Sequence, residues 1–327
     1  MLQVGERGSR GAVEISDLML STRGPTPGAT LVEWNVHEVS QGANGLWDVH
    51  WRIGGAAGTN LQSDHCVANS TGPTIPDPAC QAAFLLLHIT PNASCYIENA
   101  WLWVADHELD RADHAQISIF NGRGALIESQ GPVWLYGTAS EHSQLYQYSF
   151  SHASNIFASA LQCETPYYQS HPPATLPFAA QPAPYNDPDY ASLCSSASNV
   201  TGSNGNSTAA AACSKALALR ISHTENFFLF GAGLYSFFEN YSKDCLATES
   251  CQSDILQIEQ GKGIHIYALS TKGSTNMITT QGTTVNQADH RSNFCSTLAL
   301  FDTRDCVPSE YTPLLFAPAA SNVTANI

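Results

Sequence analysis

A near-absence of helical periodicity constrains this chain more than any other feature. The apolar positions of its 327 residues fall in short β-rich runs punctuated by Gly, Asn and Ser. The runs are Val13–Leu20, Thr30–Val36, Trp47–Ile53, Phe84–Ile89, Ala100–Val104, Gln116–Phe120, Ala125–Ser129, Val133–Tyr136, Gln144–Phe150, Ile156–Gln162, Ala218–Ile221, Phe227–Phe230, Ile255–Ile258, Ile264–Ala268 and Asn276–Thr279. Helical patterning is confined to Ser207–Leu217 and Asp77–Leu86. The fold class is therefore all-β, as a sandwich or as a parallel β-helix. An internal echo favours the β-helix: Phe150-Ser-His-Ala-Ser-Asn-Ile-Phe157 recurs as Ile221-Ser-His-Thr-Glu-Asn-Phe-Phe228, with a looser third copy over Leu269–Ile278. The first two copies lie 71 residues apart, which suits about three coils of 23 to 24 residues.

Composition narrows the partners. Only 13% of residues are charged and the formal net charge is −15, which disfavours nucleic acid and anionic membrane surfaces. No apolar run is long enough to span a bilayer. Ten cysteines without zinc spacing, beside N-x-S/T sequons at Asn69, Asn92, Asn199, Asn206, Asn240 and Asn322, predict a secreted, disulfide-bonded chain. Local spacing pairs Cys66 with Cys80, Cys194 with Cys213, Cys245 with Cys251 and Cys295 with Cys306, leaving Cys95 and Cys163. The amino terminus reads as Gly-punctuated strand rather than signal peptide, so a longer secreted protein carrying this chain as its carboxy-terminal portion is expected. Residues 1–327 read as one domain, with a Pro-rich surface loop at 171–189 and a Gly/Ser/Asn-rich loop at 195–207.

The candidate chemistry lies between Trp134 and Gln169. Glu141 and Glu164 are 23 residues apart, about one coil, so they would sit on neighbouring rungs about 4.8 Å apart. Alternation in Leu161-Gln-Cys-Glu164 turns Leu161 and Cys163 inward and Gln162 and Glu164 outward. Two carboxylates that close do not both ionise cheaply, so one should have a raised pKa and be able to donate a proton. Trp101, Trp103, Trp134, Tyr136, Tyr146, Tyr148, Tyr167 and Tyr168 crowd the same region, where their rings either fill the core or stack on sugar. At least one of Trp101 and Trp103 should reach a surface. The acidic run Trp103–His114 lacks HExxH and EF-hand spacing and reads as a hydrogen-bonded loop lining a groove, so neither metal nor cofactor is expected. His142 reads as a polar groove residue.

Several segments carry a resemblance: VEISDLMLSTRGPTPGATLVEWN (13–35), WDVHWRIGGAAGTNLQ (47–62), ENAWLWVADHELD (98–110), GRGALIESQGPVWLYGTASEHSQLYQY (122–148), QCETPYYQ (162–169) and FGAGLYSFFENY (230–241). Together they resemble the fungal exo-β-1,3-glucanases of glycoside hydrolase family 55. The resemblance implies two right-handed parallel β-helices with the active site between them, of which this chain is the second, the amino-terminal one being absent. It implies exo-acting, inverting release of glucose from β-1,3-glucan. By motif, Glu164 matches the general acid and Glu141 the second glutamate. Tyr167 and one of Trp101 or Trp103 match sugar-stacking positions, and Tyr136, His142 and Tyr168 complete the expected substrate-binding set. Inversion needs a water held between groups about 6.5–9.5 Å apart, so the water-positioning groups are expected in the other half. A non-catalytic β-glucan-binding module or an inactive fragment is the alternative.

Overall fold

The computed structural model describes residues 1–69, 71–197, 214–292 and 295–303. Most of the 195–207 loop and of the helix expected at Ser207–Leu217 lie outside the described residues, as do Cys213, Cys306 and the sequons at Asn199, Asn206 and Asn322.

The strands stack in parallel, rung on rung, as a β-helix with two principal sheets. One column shows why the sequence coils. Leu46, Ile97, Leu135, Ala158, Leu229 and Ile266 pair successively and continue to Phe301, all pointing inward. Val133, Ile156, Phe227 and Ile264 form a second buried stack beside it. β-Branched and aliphatic side chains at alternate positions fill this interior, and the ladder satisfies the backbone polar groups that burial would strand. At the carboxy-terminal end the pattern changes: Lys262–Lys272 pairs antiparallel with Cys295–Asp302, and Ser274–Thr280 with Thr284–Asn286.

A second column fixes the phase of each coil. Ser16, Trp47, Glu98, Tyr136, Ser159, Phe230 and Tyr267 stand in register, and the residue after each has left-handed backbone geometry. Those residues are Asp17, Asp48, Asn99, Gly137, Ala160, Gly231 and Ala268, with φ between 51° and 76°. Gly, Asn and Asp visit this region at low cost, whereas Ala does so against about 1–2 kcal/mol of steric opposition. The left-handed residue turns the strand through a corner, so the residues two and four places beyond it face outward from the next wall.

The 71-residue echo is one coil, not three. Phe150 pairs with Ile221 and Ile156 with Phe227, on adjacent rungs, and the intervening chain is a long insertion. His152 stacks on His223 with centroids 4.7 Å apart, and Asn226 donates to Asn155, so the likeness reflects one turn repeated on neighbouring rungs. The expected third copy is displaced: Leu269 pairs with Ala232, while the true continuation of Ile221 and Phe227 is Ile258 and Ile264.

Other local expectations also shift. Asp77–Leu86 is a single 3-10 turn at Pro78–Cys80, capped by Asp77, running into the strand Gln81–Ile89. Gln116 and Ile117 form only isolated antiparallel bridges, and the strand begins at Phe120. A short helix at Tyr190–Ala197 carries no strong amphipathic signal and went unforeseen.

The Pro-rich segment is clamped rather than free. Asp187 and Arg123 form an ion pair with both side chains fully buried, and Phe84 and Tyr185 cover the guanidinium at 4.1 and 5.1 Å from their centroids. Gln144 Nε2 donates to the Leu176 carbonyl at 2.7 Å, and Asn186 Nδ2 donates to Ser151 Oγ at 3.0 Å. Residues 176–187 thus cover the outside of the sheet that carries Arg123 and Ser151. Disulfides Cys66–Cys80 and Cys245–Cys251 form as expected, and Cys95 and Cys163 are free and buried. Among the described residues no helix is long and apolar enough to cross a membrane.

Candidate active site

Four places beyond the corner, one column crosses the outer wall: Arg52, Trp103, Glu141, Glu164, Tyr235 and Lys272, each paired with the next. Glu141 and Glu164 are therefore direct rung neighbours, as their spacing in the sequence predicted. Two places beyond the corner runs a flanking column of His50, Trp101, Ala139, Gln162, Gly233 and Ser270.

Trp101 and Trp103 stack at 4.9 Å on the rung before Glu141. Trp103 is buried, whereas Trp101 is half-buried, so one of the pair reaches the surface as expected. The Trp101 indole N–H is buried without a well-formed partner among the described residues. The loop after this strand brings Asp106 to the pair. Its neighbours are tied down: Glu108 is wholly buried against Gln62, Asp110 pairs with Arg52 at 3.1 Å, and Arg111 pairs with Asp64 at 3.1 Å. The acidic run is thus a hydrogen-bonded loop, and Asp106, paired with His107 at 3.1 Å, is the member that comes within 4.0 Å of the His142 ring beside the glutamates. The sequence placed this loop at the groove but did not single out Asp106.

His142 takes the next inward position, with left-handed φ of 64° and 4% exposure. Its Nδ1 lies 2.8 Å from the Val104 carbonyl, which orients the ring, and its Nε2 lies 3.7 Å from Glu164 Oε2. Burial works against the charged ring, but Glu164, Asp106 and Glu141 outweigh it and hold the imidazolium up to about pH 9. Glu141 is 9% exposed. Burial raises its pKa, His142 opposes this, and Glu164 and Asp106 add to it. Glu164 is shifted the other way: burial raises it, yet the His142 charge and the Tyr167 hydroxyl more than compensate and lower it. One member of the pair is raised, as expected, but it is Glu141. Glu164 rests ionised.

Tyr167 donates its hydroxyl to Glu164 Oε2 at 2.6 Å. Its ring packs on Phe238 at 4.1 Å, meets the His142 ring edge-on at 4.6 Å and remains half-buried, so it braces Glu164. Two expected members stand elsewhere. Tyr168 is buried, donates to the Ile119 carbonyl at 3.1 Å and packs on Phe120, so it belongs to the core. Tyr136 precedes the corner at Gly137 and faces the other wall, stacked between Tyr96 at 5.4 Å and Phe157 at 5.3 Å. That ladder continues through Phe230 to Tyr267, and its faces are consumed by one another. Among the described residues no group of three or more metal-ligating side chains is arranged to hold an ion.

This arrangement presents a carboxylate of lowered pKa, a second carboxyl of raised pKa, a buried imidazole and an indole along one wall. It suits proton transfer to a neutral polar ligand.

No family model matches the chain. It is 55% identical over 302 residues to a probable glucan endo-1,3-beta-glucosidase of Arthroderma benhamiae, covering 92% of this chain and 32% of that protein. It is 43% identical over 277 residues to the non-secreted LysM effector LysM15 of Penicillium expansum, covering 85% and 17%. It is 38% identical over 289 residues to a glucan 1,3-beta-glucosidase of Cochliobolus carbonum, covering 86% and 33%. The chain thus spans about a third of the length of the two glucanases. A solved structure, sacteLam55A from Streptomyces sp. SirexAA-E, aligns with TM-score 0.47 and 19% identity over 88% of this chain and 42% of that one.

Proposed function

We infer the function of this chain from the family to which it belongs, glycoside hydrolase family 55, and propose that it supplies one wall of a β-1,3-glucan-cleaving site. The observation that carries the reading is the rung pairing of Glu141 with Glu164 beside the Trp101–Trp103 stack. The proposed reaction is exo-acting hydrolysis with inversion. Glu164, the more accessible of the two carboxyls, delivers a proton to the departing glycosidic oxygen as the C1–O bond breaks. A water attacks the anomeric carbon from the opposite face and gives its proton to a base.

Glu141 is not that base. Rung neighbours lie about 4.8 Å apart, closer than the roughly 6.5–9.5 Å that inversion requires. It binds sugar and tunes Glu164. The groups that hold the water belong outside this chain, in the amino-terminal β-helix expected of the longer protein, so the chain alone is weakly active or inactive. Secretion is part of the proposal: it rests on the cysteine and sequon usage and on the glucan substrate.

The kinship with an effector named for LysM rather than for glucan cleavage favours a second reading, a wall that binds β-glucan without turnover. Laminaritriose separates the readings. Glucose release with the α-anomer first by NMR, abolished by Glu164→Gln, supports the acid assignment. Loss in Glu141→Gln with activity kept in Glu164→Gln transfers the role to Glu141. Binding without release supports the module only if release still fails when the amino-terminal half is supplied, and a ladder of internal products replaces exo by endo cleavage.

A further inference from the structure

The site contains a buried imidazole where a sugar cleft needs none for recognition. His142 is buried and faces no sugar-accessible surface, yet carboxyl groups surround it. Asp106 Oδ1, from the loop after Trp101–Val104, lies 4.0 Å from its Nδ1. Glu141 precedes it in the chain. Glu164 on the next rung lies 3.7 Å from Nε2, and Tyr167 from the loop beyond packs edge-on against the ring. The Val104 carbonyl fixes Nδ1 as the outer donor, so the second N–H can only project toward Glu164. That Nε2 is buried and makes no well-formed hydrogen bond among the described residues. A short side-chain movement brings it within hydrogen-bond reach of Glu164, the kind of tightening that follows substrate binding.

We propose that His142 is the resident proton carrier of this site, passing its Nε2 proton through Glu164 to the departing sugar oxygen and regaining it from solvent. The inference rests on the reading of Glu164 as the group that faces the glycosidic bond, and it resolves a difficulty in that reading. A general acid must hold a proton, and, against burial, His142 shifts the Glu164 pKa down while its own is shifted up by the carboxylates around it. The step balances. As the C1–O bond breaks, its electron pair takes a proton from Glu164, Glu164 takes one from Nε2, and His142 is left neutral. The attacking water supplies hydroxyl to C1 and its proton to the base. His142 is a positioning and proton-holding residue, since it does not touch substrate.

The test is an imidazole titration by ¹⁵N NMR of the chain as it stands, with His142→Gln identifying its signal among the twelve histidines. His142 should titrate near pH 9 in the wild type and at least one pH unit lower in Glu164→Gln. An ordinary value near 6.5 in the wild type, or no change in Glu164→Gln, overturns the proposal. Hydrolysis provides the second arm. His142→Gln should lower kcat on laminaritriose at least tenfold at unchanged KM and move the alkaline limb of the pH profile, whereas an aryl glucoside whose leaving group needs no proton should be spared. Unchanged kcat and pH profile would refute the role. A wild-type chain that hydrolyses nothing is what a split site predicts, and the kinetic arm is then read with the amino-terminal half supplied, where an unchanged kcat in His142→Gln refutes the role.

Discussion

Replacing Asp187 by Asn tests whether the insertion is held by the Arg123–Asp187 pair. Both side chains are fully buried, Arg123 Nε donates to Asp187 Oδ1 at 2.9 Å, and the second carboxylate oxygen accepts the Gln181 amide at 2.7 Å. Asn keeps the volume and part of the hydrogen bonding but leaves the guanidinium as an uncompensated buried charge. Breaking such a pair from one side costs about 3–5 kcal/mol, whereas replacing both partners by apolar groups of similar size is often neutral. The insertion should therefore open more often in Asp187→Asn by a factor of roughly 150 to 4,000, at about 1.4 kcal/mol per tenfold. Limited proteolysis reads this directly, because cleavage tracks the open population when reclosing is fast. The double variant Arg123→Met/Asp187→Leu should return to within about tenfold of the wild type. Less than tenfold acceleration in Asp187→Asn, or a double variant as labile as the single one, would show that the Gln144–Leu176 and Asn186–Ser151 hydrogen bonds hold the insertion instead.

Four further outcomes follow from the packing and the charges. A Cβ on Gly124 would lie 2.2 Å from the Gln147 carbonyl oxygen and 2.3 Å from Ser140 Oγ, so Gly124→Ala should cost more than about 2 kcal/mol in guanidinium unfolding. Ala160→Gly at the corner should instead be neutral or gain up to about 1 kcal/mol; an equal loss in both would contradict the packing argument. Cys95 and Cys163, whose thiols burial pushes well above their ordinary range, should resist Ellman's reagent in the folded chain and react on unfolding. Finally, His142 has a folded pKa of about 9 against about 6.5 unfolded, so its contribution to stability is complete below pH 6.5 and lost as pH rises through 9. The Tm difference between wild type and His142→Gln should shrink over that window, and a growing difference would reverse the argument.

The glutamate pair was legible because it spans a coil without insertions. From Val133 to Ile156 the chain makes one uninterrupted circuit, so sequence spacing equals spatial spacing. Elsewhere the equality fails. Ala158 and Leu229 are equally close neighbours despite a far greater separation along the chain, and so are Leu46 and Ile97, because loops leave and rejoin the wall at will. The echo was therefore real but miscounted. Adjacent tyrosines were a different problem: strand alternation ends at Glu164, and nothing in Thr-Pro-Tyr-Tyr says which ring turns inward. Tyr167 braces the acid and Tyr168 fills the core. The charge states were illegible for a physical reason, since they depend on Asp106 and His142 arriving from different rungs. The Pro-rich segment read as exposed because proline signals loop, while its anchors, Asp187 and Asn186, meet their partners only in three dimensions.

The left-handed corner has a consequence for how such a protein can change. Each circuit is re-zeroed at one residue, so whatever length the preceding loop has taken, the second and fourth residues beyond the corner return to the same two outward columns. Length errors do not accumulate from one circuit to the next. A lineage can therefore lengthen, shorten or replace any loop, as the unequal circuits on either side of Ile156 show, while the glutamate column keeps its order from Arg52 to Lys272. Variation in reach and selectivity is thereby uncoupled from the alignment of the reacting groups.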